Sequence, residues 1–507
     1  MLHKADGALN FCDYLISRKS ALFLCIAAYS FGMLLLFSMS SPLYYINKEV
    51  DVHAYFNMGK GLFNGKVIYR DLFDHKGPLL YFIYGLGYLI SGRNFLGIYI
   101  LEAVFLTITL SCLFKTVSLF IKNKHALLAI PVYAAILLNE KIFDDGGHAE
   151  EFCLPFIMAG LFYLVKMWRN EENFKFGVKE GVILGFCTAA LLLIKMTMAA
   201  VFVPFLLCAA IYLCKSKKIA VLLKFITGFV LGLLFIFTPF FIYLVLTKSF
   251  NDFYLAYIKF NAIYSGVHFN IDTIIKFIKS ARRAYLSNEP IPLIIIAGIL
   301  FFCCRKKYVT LSGRISIVLS FIFLLFVIYL SGRRYANNFI PLTVFIVFAL
   351  IIAINEVLPK IFKGRKIEYL LLLLLLCIPS NNNIRFLRFV SDEHAVVKIG
   401  KRIAGDDQAT LLYYRQMDFG IFTTAGLIPS NKYFYKAGIE PGLWPEMFEE
   451  QDRIVKNGEV KYIALSTPPV FLDENLPAIL TDNYHVIETY EVDREEYNIT
   501  LLKRKEE

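Results

Sequence analysis

Pro78-Leu79-Leu80-Tyr81-Phe82-Ile83-Tyr84-Gly85-Leu86-Gly87-Tyr88-Leu89-Ile90 is apolar, short, opened by a proline and interrupted by two glycines. Whether it crosses a membrane decides the orientation of every segment after it. Outside this stretch, apolar runs fall at about 21–43, 97–121, 126–139, 152–167, 179–197, 199–214, 220–247, 291–304, 315–330, 338–358 and 367–379. They make eleven candidate spans, several shorter than the roughly 20 residues of a straight crossing. If Pro78 to Ile90 stays out of the count, the connections on the N-terminal side are all basic. They carry Lys4/Arg18/Lys19, Lys122/Lys124, Lys166/Arg169/Lys175/Lys179, Lys215/Lys217/Lys218, Arg305/Lys306/Lys307/Arg314 and Lys360/Lys363/Arg365/Lys366. Under the positive-inside rule that pattern places the N-terminus in the cytoplasm. If the stretch did cross, the later basic clusters would fall outside, so it reads as an interfacial or half-inserted helix. Gly85 and Gly87 within it signal close packing, not a phosphate loop.

Composition agrees with a membrane protein. Of 507 residues, 57% are hydrophobic and 19% charged, too apolar for a water-soluble enzyme of this length. The net charge of +12 is unevenly spread: residues 380–507 hold 15 Lys and Arg against 21 Asp and Glu, a net of −6, which leaves +18 for residues 1–379. An acidic tail repels phosphates, so nucleic acid is excluded as a partner. The tail contains none of the ten cysteines, and no disulfide framework or zinc motif is present. Its strand-like runs at 410–414, 462–465, 486–490 and 499–502, with helical stretches near 393–403 and 443–457, predict a small α/β domain. The chain thus divides into a helical membrane domain, 1–379, and an extracytoplasmic α/β domain, 380–507. The fold class expected is an α-helical multi-pass protein of the cell membrane.

On this topology residues 44–96, 140–151 and 248–290 share the outer side with the tail. The first of these loops concentrates the chemistry. It runs Lys48-Glu49-Val50-Asp51-Val52-His53-Ala54-Tyr55, then Gly59 and Gly65, then Tyr69-Arg70-Asp71-Leu72-Phe73-Asp74-His75-Lys76-Gly77-Pro78-Leu79-Leu80-Tyr81. A carboxylate against an apolar, aromatic wall can take a proton from a hydroxyl, and a lysine beside it can hold a phosphate. Asp51 also stands where a helix N-cap would, and Lys76 where a snorkelling lysine would. Asp71, Asp74 and His75 have no trusted metal-ligand spacing, so no metal and no cofactor are expected. The loop 248–290, with Phe250, Phe253, Tyr254, Tyr257, Phe260 and Tyr264 followed by Lys276, Lys279, Arg282 and Arg283 among isoleucines, reads as interfacial helices over the entrance to the site.

At these residues the sequence resembles the GT-C glycosyltransferases, in the branch of the protein O-mannosyltransferases and the bacterial transferases that attach aminoarabinose to lipid A. The resemblance rests on Asp51 with Tyr55 four positions on, Gly65, and Lys76-Gly77-Pro78-Leu79-Leu80-Tyr81 before a juxtamembrane helix. It continues in Asp144-Asp145-Gly146-Gly147-His148-Ala149-Glu150-Glu151, in Lys195 of Leu193-Ile194-Lys195-Met196, and in Gly332-Arg333-Arg334-Tyr335. Two departures stand out. Relatives carry a His after the last motif where Asn337 and Asn338 stand here, and Asp51-Val52 replaces Asp-Glu, so the second acid must be Glu49, Glu150 or Glu151.

The resemblance implies a GT-C fold and an inverting sugar transfer from a polyprenyl-phosphate donor to a cell-envelope acceptor at the outer face of the bilayer. Asp51 would be the catalytic base. Lys76, Lys195, Arg333 and Arg334 would bind the donor phosphate, and Tyr55, Tyr81 and Tyr335 would form an aromatic pocket. The competing reading is a flippase, polymerase or transporter of lipid-linked sugars. Such a protein would place its ionisable groups mid-span, in broken helices and repeated halves.

Overall fold

The computed structural model describes residues 18–169, 176–267, 270–362, 379–390, 393–468, 476–492 and 497–505. Ten of the eleven expected spans coincide with helices, and the one at 367–379 lies almost wholly outside the described residues. Seven helices are long and apolar enough to cross a membrane: Lys19–Phe37, Leu96–Ser118, Ala149–Trp168, Met196–Lys215, Ile219–Thr247, Leu311–Tyr329 and Ala336–Ile361. Among the described residues one bent pair, Ile271–Ser287 and Ile291–Cys304, turns by 102° at its break, as a broken span or a re-entrant segment does. The helices Val178–Ile194, of 17 residues, and Asn123–Leu137 are shorter. The chain is a multi-pass membrane protein.

Six of these helices position the site. In chain order they are α1 (Lys19–Phe37), α2 (Val50–Phe63), α3 (Pro78–Ile90), α4 (Leu96–Ser118), α5 (Ala149–Trp168) and α6 (Val178–Ile194). Helix α3 is the stretch that decides the topology. Pro78 starts it at the first helical position, where a missing N–H leaves nothing unpaired, and it stops at Ile90. At 13 residues it is about 20 Å long, well short of a bilayer core. It lies along α2 with the backbones in contact: a side chain on Gly59 would strike the Tyr81 carbonyl, and one on Gly85 would strike the ring of Phe63. That contact brings the N-terminus of α2, with Asp51, beside the entry to α3, with Lys76.

The tail holds a four-stranded sheet, β1 (Leu411–Tyr413), β2 (Tyr462–Thr467), β3 (Tyr484–Glu491) and β4 (Asn498–Arg504), in the order β1-β2-β4-β3. All four expected strands are present. β1 and β2 are parallel and the other pairs antiparallel, with a bulge between Val486 and Glu488. The alternation of a strand sends its side chains to two cores. Leu411 and Tyr413 join the main core, which runs unbroken from the membrane helices into the tail. Leu412 and Tyr414 face a smaller one with Ile454, Val455 and Ile463. The C-terminal region therefore packs into the same core as the helices.

Candidate active site

Helix α2 begins with Glu49 as its N-cap, whose side chain accepts from the Asp51 amide. Asp51 is therefore not the cap. It is the second residue of the helix, and Tyr55, one turn on, lies on the same face. The Tyr55 hydroxyl donates to Asp51 Oδ2 at 3.0 Å, and Lys76 Nζ stands 3.5 Å from the same oxygen and 5.3 Å from the Tyr55 ring centroid. The Asp51 side chain is 34% exposed and that of Lys76 12%, so the pair opens on one side only. Burial works against the charge of both. For Asp51 burial is the largest single influence and raises the carboxyl, but the Lys76 ammonium, His75 and the Tyr55 hydroxyl together hold it below the usual range. For Lys76 the Asp51 and Asp74 carboxylates outweigh it and hold the ammonium above the usual lysine range.

The backbone of Lys76 is held on both sides. Its N–H donates to the Tyr81 hydroxyl at 2.8 Å, and its carbonyl accepts from the Tyr69 hydroxyl at 2.8 Å. The next N–H, of Gly77, donates to the Ile194 carbonyl at 3.0 Å, and any side chain at Gly77 would collide with the carbonyl of Leu193. The loop thus docks on the end of α6, where Lys195 breaks the helix in an extended conformation. Lys195 pairs with Glu150 from the first turn of α5, whose side chain is only 1% exposed. Tyr257, in the helical segment Tyr254–Lys259, closes this helix end by donating to the Leu192 carbonyl at 2.6 Å and accepting from the Met196 amide at 3.1 Å.

The remaining expected residues divide. Tyr81 meets Lys76 through its hydroxyl, and Glu49 is the N-cap two positions before Asp51. Glu151 caps its own helix, accepting from the His148 amide at 2.9 Å. Arg333 lies flat over the ring of Tyr264, 3.4 Å from its centroid, and donates to the Tyr264 carbonyl at 2.9 Å. Tyr335 is exposed, with its hydroxyl 3.2 Å from that of Tyr264, and Arg334 is exposed beside it. Tyr264 in turn packs on His75 at 5.0 Å, so this group borders the site through residues that sequence reading left without a role.

No metal was expected. Among the described residues, Glu49, Asp144 and His148 bring one ligand atom each within 4.8 Å of one another. Burial first, then Asp51 and Asp144, push the Glu49 carboxyl up to about 8. The Nδ1 of His148 meets the Asn337 amide at 3.1 Å, while its Nε2 is buried with no partner. Two carboxylates and an imidazole at this spacing could hold a divalent cation. Asp144 takes a left-handed φ of 56° at this turn.

Residues 75–243, about a third of the chain, match the family described as dolichyl-phosphate-mannose-protein mannosyltransferase, a match that starts at the His75-Lys76 pair. The structure is similar to that of ArnT from Cupriavidus metallidurans bound to undecaprenyl phosphate, with a TM-score of 0.58 over 95% of this chain and 97% of that one at 12% identity. The chain shares its fold with that structure, and its residues 75–243 match the mannosyltransferase family. A second structure, the archaeal oligosaccharyltransferase AglB from Archaeoglobus fulgidus in complex with an inhibitory peptide and a dolichol-phosphate, aligns over 88% of this chain and 70% of that one, with a TM-score of 0.51 and 12% identity. No curated protein sequence matches the chain. At this identity the GT-C likeness describes the fold, and the roles of individual residues rest on the geometry above.

Proposed function

We propose that this chain transfers a sugar, with inversion, from a polyprenyl-phosphate donor to a hydroxyl of a cell-envelope acceptor on the extracytoplasmic side of the membrane. The observation that carries this reading is the half-open pair of Asp51 and Lys76. Asp51, kept ionised by Lys76, accepts the proton of the acceptor hydroxyl as its oxygen attacks the anomeric carbon. The bond from that carbon to the phosphate oxygen breaks, and its electrons leave with the phosphate. An ammonium has three N–H donors. Asp51 and His75 engage two of those on Lys76, at 3.5 and 3.4 Å, which leaves a third for a phosphate oxygen. Lys195, 22% exposed beside Glu150, is the second cation for the leaving group, and Arg333 and Arg334 line the approach. Fixed cations aimed at a developing phosphate charge in a site poor in water are a large catalytic contribution.

The donor's lipid stays in the bilayer, which suits a site built where a short helix enters the interface. Tyr55 and Tyr81 form the aromatic wall on the lysine side, and Tyr335 the exposed ring toward solvent. The test uses purified protein in lipid nanodiscs with labelled polyprenyl-phosphate sugars and a panel of envelope acceptors. Asp51→Asn should lower transfer by about 10² to 10⁴-fold. Equal transfer by both proteins would remove Asp51 from the mechanism, and transfer from no lipid donor would favour a transporter of lipid-linked sugars. Orientation is checked at the surface: Lys401, 70% exposed, replaced by Cys should react with an impermeant maleimide from the outside.

A further inference from the structure

Asp74 is a carboxylate with 1% exposure, next but one to the lysine of the site. Its Oδ2 accepts from the Tyr81 hydroxyl at 2.8 Å, and its Oδ1 from the hydroxyl of Tyr435, in the C-terminal region, at 2.9 Å. The His75 Nδ1 is 3.2 Å from the same Oδ1, while its Nε2 is 3.4 Å from Lys76 Nζ. An unbroken line of contacts therefore runs from Tyr435 through Asp74, His75 and Lys76 to Asp51.

The C-terminal segment is fastened along this loop at further points. The Phe73 amide donates to the Lys432 carbonyl at 2.9 Å, the Phe73 ring meets that of Tyr433 at 5.1 Å, and Arg333 Nη1 reaches the Gly438 carbonyl at 3.5 Å. His75 packs against the stacked rings of Phe260 and Tyr264, at 5.1 and 5.0 Å, and its carbonyl accepts from Asn261 at 2.7 Å.

What this line does follows from the charges. A buried carboxylate needs donors, and two tyrosine hydroxyls supply them without adding charge. With Asp74 satisfied in this way, His75 stays neutral, its Nδ1 proton toward Asp74 and its Nε2 lone pair toward Lys76. Burial and the neighbouring ammonium both favour the neutral ring. Remove the Tyr435 hydroxyl, and the Asp74 charge on Oδ1 is left to His75 alone. The ring then gains reason to protonate, and an imidazolium would turn an N–H on the ammonium it now accepts from.

We propose that Tyr435 is a positioning residue for sugar transfer: acting through Asp74 and His75, its hydroxyl holds the Lys76 ammonium where the donor phosphate docks. The C-terminal region is thereby part of the donor site and not only a cover for the acceptor. This inference rests on the proposed function. Its test compares Tyr435→Phe with Tyr433→Phe in the full chain. Tyr433 is a buried tyrosine of the same segment whose hydroxyl donates to Glu446 at 2.8 Å and touches nothing in 74–76.

Both variants are measured for melting temperature, for binding of unglycosylated polyprenyl phosphate, and for donor KM and kcat. Tyr435→Phe should raise the polyprenyl-phosphate Kd and the donor KM by about three- to tenfold, the worth of one hydrogen bond, with kcat less affected. Tyr433→Phe should leave both within about twofold on the same scale. His75→Gln, which still offers Lys76 an amide oxygen, should keep more affinity than His75→Phe. If the wild type binds polyprenyl phosphate and Tyr435→Phe binds it equally, or if the two tyrosine variants lose affinity alike, the inference is overturned alone. If the wild type binds no polyprenyl phosphate, the proposed function is overturned with it.

Discussion

Lys60, in the last turn of α2, and Lys76, in the loop before α3, each stand beside an aromatic ring, yet their ammonium groups end in opposite situations. Lys60, 1% exposed, donates to the carbonyls of Phe422 at 3.2 Å and Leu427 at 3.0 Å, at the C-terminal end of the short helix Ile421–Ala425. A helix C-terminus carries partial negative charge and unpaired carbonyls, which suits a cation. Burial dominates there and pulls the Lys60 ammonium down to about 8. Lys76 faces a carboxylate and an imidazole instead, and its charge is strengthened. The first lysine is used up in joining two parts of the chain, while the second keeps a donor in reserve. A lysine in an apolar loop is therefore a phosphate ligand only when its partners leave it one.

The face of α2 explains the split. His53, Asn57 and Lys60 follow helical spacing and all meet the C-terminal region. Gly420 sits against the His53 ring, Asn57 donates to Asp418 Oδ2 at 2.6 Å, and Lys60 caps the helix beyond. Asp51 and Tyr55 occupy another face of the same helix and meet Lys76. One helix thus carries the interface on one side and the proposed reacting pair on the other.

The sharpest way to break this comparison is Lys76→Ala. It should lower transfer by about 10² to 10³-fold, as for loss of one preorganised charge-stabilising group. The melting temperature should change little, because the loop is held by its backbone bonds. Lys60→Met should do the reverse: a stability loss of about 1 to 3 kcal/mol from the two lost charge-assisted hydrogen bonds, read as a lower melting temperature, with polyprenyl-phosphate Kd within about twofold of wild type. Loss of donor binding by folded Lys60→Met protein would make the two lysines alike and end the distinction.

The smallest effect is a pH slope. Burial pushes the Asp418 carboxyl up to about 6, above the roughly 3.9 of a free aspartate. Between those values the folded chain keeps a proton that the unfolded chain has lost, so this group's contribution to stability falls as pH rises from about 4 to 6 and stays low above. Asp418→Asn should remove that slope. Melting curves of the two proteins should separate over this range and run parallel at higher pH; a constant separation throughout would mean that Asp418 does not titrate at the interface.

Much of the fold is legible in short windows of sequence. Pro78 starts a helix, Gly85 and Gly87 mark a close approach, and the strands at 411–413 and 462–467 follow their apolar runs. The Asp51, Tyr55 and Lys76 spacing was legible as well, because two of the three share a helix face and the third precedes a proline that ends the loop. The end of α6 was less so. The apolar run continues to 197, while the helix stops at Ile194, because Lys195 turns to Glu150 and the Gly77 amide claims the Ile194 carbonyl. Asp74 and His75 looked like an idle acidic cluster, since their partner Tyr435 is 361 positions away.

The sequence by itself determined that this is a membrane protein, where its helices and strands run, and which loop holds the chemistry. Those are properties of neighbouring residues: apolar length, period, and the backbone limits of proline and glycine. Only the tertiary structure decided which ions meet. A buried charge is stable only with partners that compensate its lost hydration. Lys60 finds them at the far end of the chain, in Phe422 and Leu427, and Lys76 finds them in Asp51, 25 positions before it, and in the adjacent His75.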